Sequence, residues 1–165
     1  MGILPQEFVL KQFVEECFYK PEYDKFFSWV FTHTDVFRTI EPYREALIAI
    51  MVLADAGYEI HYCTDRFQYK DVYEDTYRWL YRWGFPCDYV NFVRTEDKAE
   101  FVKRNEYFAI IEDRTQTVYD CAKLEVPSYL IARSWNEDYQ EIPNAPLARV
   151  SWADITKPLV DHIKG

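Results

Sequence analysis

The chain is expected to fold as an α/β protein built on a parallel sheet, and three observations predict it. Short apolar runs alternate with helix-length stretches from residue 58 to the end, the pattern of β-α-β units rather than of hairpins. Several of those runs stop abruptly in polar residues: Thr64-Asp65-Arg66, Glu112-Asp113-Arg114 and Arg133-Ser134-Trp135-Asn136. Such strand ends are where open α/β sheets collect ligands. Finally, 165 residues, 49% of them hydrophobic, are enough for one domain with a substantial core.

The elements follow in order. Residues 1–38 read as helical and aromatic, with no strand. Gln6 to Tyr19 sets Phe8, Val9, Phe13, Cys17 and Phe18 at helical spacing, and Pro21 ends it. Glu22 to Phe31 is a second helix carrying Phe26, Phe27 and Val30. The phenylalanines are expected to pack the two helices together, which leaves open the alternative that the pair as a whole is a lid over a site. Residues 39–165 form the α/β core. Thr39 is read as an N-cap, with Pro42 in the first turn and Ala46 to Ala56 as an apolar helix that Gly57 stops. Tyr58 to Cys63 is a strand. Tyr69 to Trp83 is a helix closed by Gly84, its stripe formed by Tyr73, Tyr77, Leu80 and Tyr81 and flanked by Trp79 and Trp83. Tyr89 to Val93, Tyr107 to Ile111 and Val126 to Ala132 are further strands. Between them lie helices Glu96 to Arg104, with Thr95 as N-cap, and Thr115 to Leu124. Pro143 and Pro146 mark a loop, Ala148 to Trp152 an edge strand, and Asp154 to Ile163 a closing helix.

Charge and cysteine usage exclude some functions. A formal charge of −9 gives no general attraction for nucleic acid, so duplex binding through a basic face is disfavoured. A locally positive pocket for phosphate remains open. Cys17, Cys63, Cys87 and Cys121 show no CxxC pair or zinc spacing, and Cys63 and Cys121 are expected to be buried free thiols. A reducing, cytoplasmic compartment is the expectation. No apolar run is long enough to span a membrane, and the first residues, MGILPQEFVL, match neither a secretory signal nor a myristoylation pattern.

Three features are expected on one sheet edge: Thr64 with Asp65 and Arg66, then Lys98, then Glu112 with Asp113. Lys98 falls in the first turn of its helix, where the positive dipole end disfavours a cation by some tenths of a kcal/mol. A bound anion would reverse that sign, and helix N-termini offer free N–H groups to phosphate. The plainer alternative pairs Lys98 with Glu112 or Asp113. Two carboxylates after a strand suit Mg²⁺, though Asp113 could instead cap the helix that follows. Thr64 could simply close a turn, and Arg66 could be a surface ion-pair partner.

The stretches IEPYREALIAIMVLADAGYEIHYCTDR (40–66), the Lys98 helix, AIIEDRTQTV (109–118) and VPSYLIARSWNED (126–138) together resemble the haloacid dehalogenase (HAD) superfamily of phosphatases. The nearest likeness is to its 5′(3′)-deoxyribonucleotidase and polynucleotide 3′-phosphatase branches. The resemblance implies a three-layer Rossmann-like fold and Mg²⁺-dependent action on phosphate monoesters such as nucleotides. It implies that Thr64 and Lys98 hold the transferring phosphoryl group, that Glu112 and Asp113 hold Mg²⁺ or orient its waters, and that Arg66 contacts substrate. The helical segment before residue 39 corresponds to the cap, which would set substrate size. One departure outweighs these matches. The family's first strand ends in Asp-x-Asp, which supplies nucleophile and general acid, and no Asp-x-Asp occurs in this chain.

Without that carboxylate, covalent phosphoryl transfer has no nucleophile, and gripping a ground-state phosphate is not catalysis. The expectation is therefore a phosphatase-like protein, inactive by itself, whose first central strand is missed upstream, split off or lost. The alternative is a non-catalytic protein that binds phosphate, a nucleotide or a protein partner, with Tyr69, Tyr73, Tyr77, Tyr81 and Trp83 as possible interface anchors. A plain structural subunit is the third reading. A missing central strand leaves unpaired ladder groups on its two neighbours, so the gap must close, be filled, or be completed by another chain or a second copy.

Overall fold

The computed structural model describes residues 35–66, 71–139 and 149–164. The two helices expected over Gln6–Tyr19 and Glu22–Phe31 lie outside these, and with them the cap. The described chain is mixed α/β: α1 (Val36–Thr39), α2 (Arg44–Asp55), β1 (His61–Thr64), α3 (Val72–Trp83), β2 (Tyr89–Phe92), α4 (Lys98–Arg104), β3 (Ile110–Glu112), α5 (Thr115–Lys123), β4 (Ser128–Leu130) and α6 (Trp152–Lys164). Short 3₁₀ turns, Thr95–Asp97 and Ser134–Asn136, precede α4 and follow β4.

The order of strands and helices is the expected one, with several boundaries moved. Thr39 is not an N-cap. It ends α1, its hydroxyl donating to the Asp35 carbonyl, and Pro42 precedes α2 instead of entering its first turn. The aromatic stripe expected on α3 is also displaced. Its buried residues are Val72, Thr76 and Leu80, whereas Tyr73, Tyr77 and Tyr81 are exposed, Tyr81 to 89%. Thr76 occupies a core position because its hydroxyl donates back to the Val72 carbonyl and so leaves no unmet polar group inside. Gly57 and Gly84 end α2 and α3 as expected, both at positive φ.

The expected parallel sheet is divided. β1 pairs with β2 in parallel, His61 opposite Tyr89 through Thr64 opposite Phe92. β3 pairs with β4 in parallel, Ile110 opposite Ser128 through Glu112 opposite Leu130. The two pairs are separate sheets. The edge strand expected over Ala148–Trp152 is reduced to one parallel bridge between Ile131 and Val150, because α6 already begins at Trp152.

Packing is concentrated around β3 and β4. Ile110 joins Ala99 and Val102 of α4, Cys121 of α5 and Val126. Its neighbour Ile111 packs into a second cluster, with Leu53 of α2, Ile131, and Ile155 and Leu159 of α6. Successive strand residues point to opposite faces, so two adjacent isoleucines anchor two separate helix contacts. Pro158 is tolerated within α6, and Tyr58 ties that helix down by donating from its hydroxyl to the Leu159 carbonyl at 2.9 Å.

Candidate functional site

The two sheets flank a cavity of about 570 Å³ whose walls include His61, Tyr62 and Cys63 of β1 and Ala109 to Asp113 along β3. Both strands run the same way along it. At their starts, the Tyr107 hydroxyl lies 2.9 Å from His61 Nδ1. At their ends, the Cys63 thiol, itself raised to about 11 by burial, feels the charges of Lys98 and Glu112. The carboxyl ends of β1 and β3 therefore open at the same end of the cavity.

The centre of that end is an ion pair. Lys98 Nζ donates to Glu112 Oε2 at 2.7 Å, and the two side chains are only 12% and 10% exposed. Local sequence explains the placement. Lys98 opens α4, while Ala99 and Val102 on the same helix are buried against Ile110, so packing of the apolar pair delivers the lysine to the strand end. Burial by itself would raise the Glu112 pKa, but the Lys98 charge and hydrogen bond more than offset it and leave the carboxyl below its ordinary value. Glu112 Oε1 accepts the Asp113 backbone N–H as well. Asp113 goes the other way. Burial, then its hydrogen bond to Glu112 and the neighbouring negative charge, push it up to about 6, only partly relieved by Lys98 and Arg133.

Of the residues singled out in the sequence, Arg66, Glu112 and Asp113 line the cavity, and Lys98 reaches it through Glu112. Thr64 does not line it; its carbonyl accepts the Val93 N–H at the end of the β1–β2 ladder. Asp65 holds the start of the 3₁₀ turn before α4, accepting both the Thr95 N–H and the Thr95 hydroxyl at 2.9 Å. Thr95 is thus the capped residue and not the N-cap expected of it.

Two further residues of the site were placed at a strand end by the sequence but given no role there. Arg133 lines the cavity and lies 4.0 Å over the Tyr43 ring. Asn136 is 1% exposed and joins three stretches of chain through four hydrogen bonds. Its amide donates to the carbonyls of Asp113 and Ile131, and its side-chain oxygen accepts from the Arg133 N–H and from Arg149 Nε. Its only sequence signal is a position shortly after a strand, inside the SWNED stretch.

Of the two carboxylates that the family resemblance implies for Mg²⁺, one is committed elsewhere and one is open. Glu112 has one oxygen committed to Lys98 and the other to a backbone N–H. Asp113 is left as the single carboxylate without a cation of its own, and the described residues contain no group of three acidic, His or Cys side chains that could hold a metal ion. Mg²⁺ commonly uses one or two carboxylates with waters and substrate phosphate, and here the second is already neutralised. No helix among the described residues is long and apolar enough to cross a membrane. No known family, curated protein or solved structure matches the chain.

Proposed function

We propose that this chain is a phosphatase-like protein of the haloacid dehalogenase type, with a three-layer α/β core, that binds a phosphate monoester such as a nucleotide and lacks a nucleophile of its own. The observation that supports the reading is the meeting of Lys98, Arg66, Arg133, Glu112 and Asp113 at the carboxyl ends of two parallel strands. Lys98 uses one of its three donors on Glu112, which leaves donors for a phosphate oxygen. Arg66 and Arg133 add charge at the same mouth. Thr64 contributes from the strand end beside it, through its hydroxyl once a ligand is bound. The chain carries no Asp-x-Asp to supply the family's nucleophile, so the site is read as binding without turning over, and no step is assigned to Mg²⁺. Cys63, Cys87 and Cys121, all unbridged, favour a cytoplasmic setting for this activity.

The test is a titration of the protein with inorganic phosphate and with a deoxynucleoside monophosphate, followed through its backbone amide resonances, alongside a phosphate-release assay. Saturable shifts at Lys98, Asp113 and Arg133 without release are expected. The same titration on the doubly neutralised Lys98→Met/Glu112→Gln protein, which leaves neither Lys98 nor Glu112 as a buried charge without its partner, is expected to be silent. Wild-type protein with no shifts overturns the phosphate reading; phosphate release that disappears in the double variant overturns the absence of catalysis. A second reading, a protein-interaction module, is favoured by the exposed row of Tyr73, Tyr77 and Tyr81 on α3, since tyrosine is a frequent interface anchor.

A further inference from the structure

We infer that the cavity between β1 and β3 is a docking slot for one extended apolar segment of another polypeptide, which enters parallel to both strands and joins the two small sheets into one. The inference rests on the strand edges and stands independently of phosphate binding. In β1, the Ile60 carbonyl accepts from Asp88 and Tyr89, and the Thr64 carbonyl accepts from Val93. Backbone groups alternate between the two edges of a strand, so those of His61 and Cys63 point away from β2. In β3, the Ile110 N–H donates to Pro127 and the Glu112 carbonyl accepts from Ile131, so the Ile111 N–H and carbonyl point away from β4. Among the described residues no backbone group pairs with His61, Cys63 or Ile111 on these edges. All three residues line the one cavity.

Two like-directed edges facing one space present complementary donors and acceptors to a single strand laid between them. The segment would continue the ladders that already run from β2 to β1 and from β3 to β4. Strand addition of this kind takes its affinity from main-chain hydrogen bonds and its specificity from alternate side chains. The walls determine those side chains. Leu53, Ile131 and Leu159 stand on one side, Phe101, Val102 and Tyr107 on the other. An inner parallel strand covered on both faces is a continuous apolar run, not an alternating one. β1 is four residues long, which sets the length of the run. Charge sets its direction. Glu59 stands at the entry end, beside His61, and Arg133 near the exit end, close enough to Asp113 to influence its carboxyl. A lysine or arginine just before the apolar run therefore meets Glu59 only in the parallel orientation. A chain of formal charge −9 favours a basic flank as well.

The experiment adds the peptide acetyl-Lys-Val-Ile-Val-Val-Gly-amide to the full chain, with two controls: the same peptide carrying backbone N-methyl groups on alternate residues, and a charge-reversed peptide with Glu in place of Lys. Amide hydrogen exchange at His61, Cys63 and Ile111 is the readout. The expected result is rapid exchange at all three in the free protein, at least tenfold slowing with the first peptide, no slowing with the N-methylated one, and weaker binding of the Glu peptide. Three outcomes overturn the inference: the three amides are already protected in the free chain, which would mean that the protein fills or closes its own slot; the first peptide leaves them unprotected; or the N-methylated peptide protects equally. Inorganic phosphate run in parallel separates the two proposals, because it is expected to move Lys98 and Asp113 while leaving exchange at His61 unchanged.

Discussion

The β3–β4 pair and the β1–β2 pair are both short, parallel and joined by helical crossovers, yet they are packed very differently. In the first, Leu130 and Ser128 are fully enclosed, Ile110 and Ile131 are buried, and helices cover both Ile110 and its neighbour Ile111. In the second, not one of the eight strand residues is buried. Parallel strands are normally covered on both faces. The difference is partly one of composition, IIE and SYL against HYCT and YVNF, and partly one of neighbours. β4 has the Val150 bridge beyond it, whereas β1 has the cavity. One half is a finished core, and the other is a sheet edge held by aromatic contacts such as Tyr62 against Phe85 and His61 against Tyr107.

The sharpest test of that contrast lies at the seam between the halves. Lys98→Ala leaves Glu112 buried without its cation and is expected to cost about 3–5 kcal/mol in urea denaturation. Removing both charges in Lys98→Met/Glu112→Leu is expected to recover most of the loss, and a double variant no more stable than the single one would show that the pair is not what holds the seam. Next in size, Leu130→Ala in the finished half is expected to cost about 3 kcal/mol, against about 1 kcal/mol or less for Val90→Ala in the half-covered strand. Equal costs would erase the comparison.

Asp113 probes the same seam through pH. Its folded pKa of about 6 lies above the ordinary 3.8, so between those values the folded state keeps a proton that the unfolded chain has lost. The contribution is present below about pH 4 and falls as pH rises through 6. Asp113→Asn is therefore expected to gain stability relative to wild type above pH 6, on the order of 1–2 kcal/mol, and to match it near pH 4. A variant less stable than wild type at neutral pH would contradict this. A similarly small effect is expected at Asp65→Ala, about 1 kcal/mol, from loss of the two hydrogen bonds to Thr95. Faster exchange should be confined to the start of α4, and fraying that spreads into β3 would show that the halves are more tightly coupled than their packing suggests.

Much of this was legible in the residues. The alternation of strand and helix, the glycine stops after α2 and α3, and the strand-terminal positions of Thr64, Glu112 and Asp113 follow from local rules, because turn chemistry and apolar run length act over a few residues. The pairing of Lys98 with Glu112 was one of two local readings, and the tertiary structure chose it. The tyrosine stripe of α3 misled for a definite reason. Tyr73, Tyr77 and Tyr81 share helical spacing with a core face, and periodicity alone does not distinguish a core face from an aromatic outer face. Burial went instead to Val72 and Thr76, the latter made apolar enough by its back-bonded hydroxyl. The role of Asn136 was only half visible: its bonds to Ile131 and Arg133 are local, whereas Asp113 and Arg149 are brought to it by folding.

What the sequence by itself determined is an acidic α/β chain whose strand ends carry three arginines and three carboxylates, with a lysine opening a nearby helix, and no Asp-x-Asp. Those are properties of composition and spacing. Only the tertiary structure decided that the strands divide into two sheets, that Lys98 neutralises Glu112 rather than standing free, and that a cavity with two open edges lies between them. Register, burial and the facing of edges depend on contacts between residues dozens of positions apart, and no local rule encodes those.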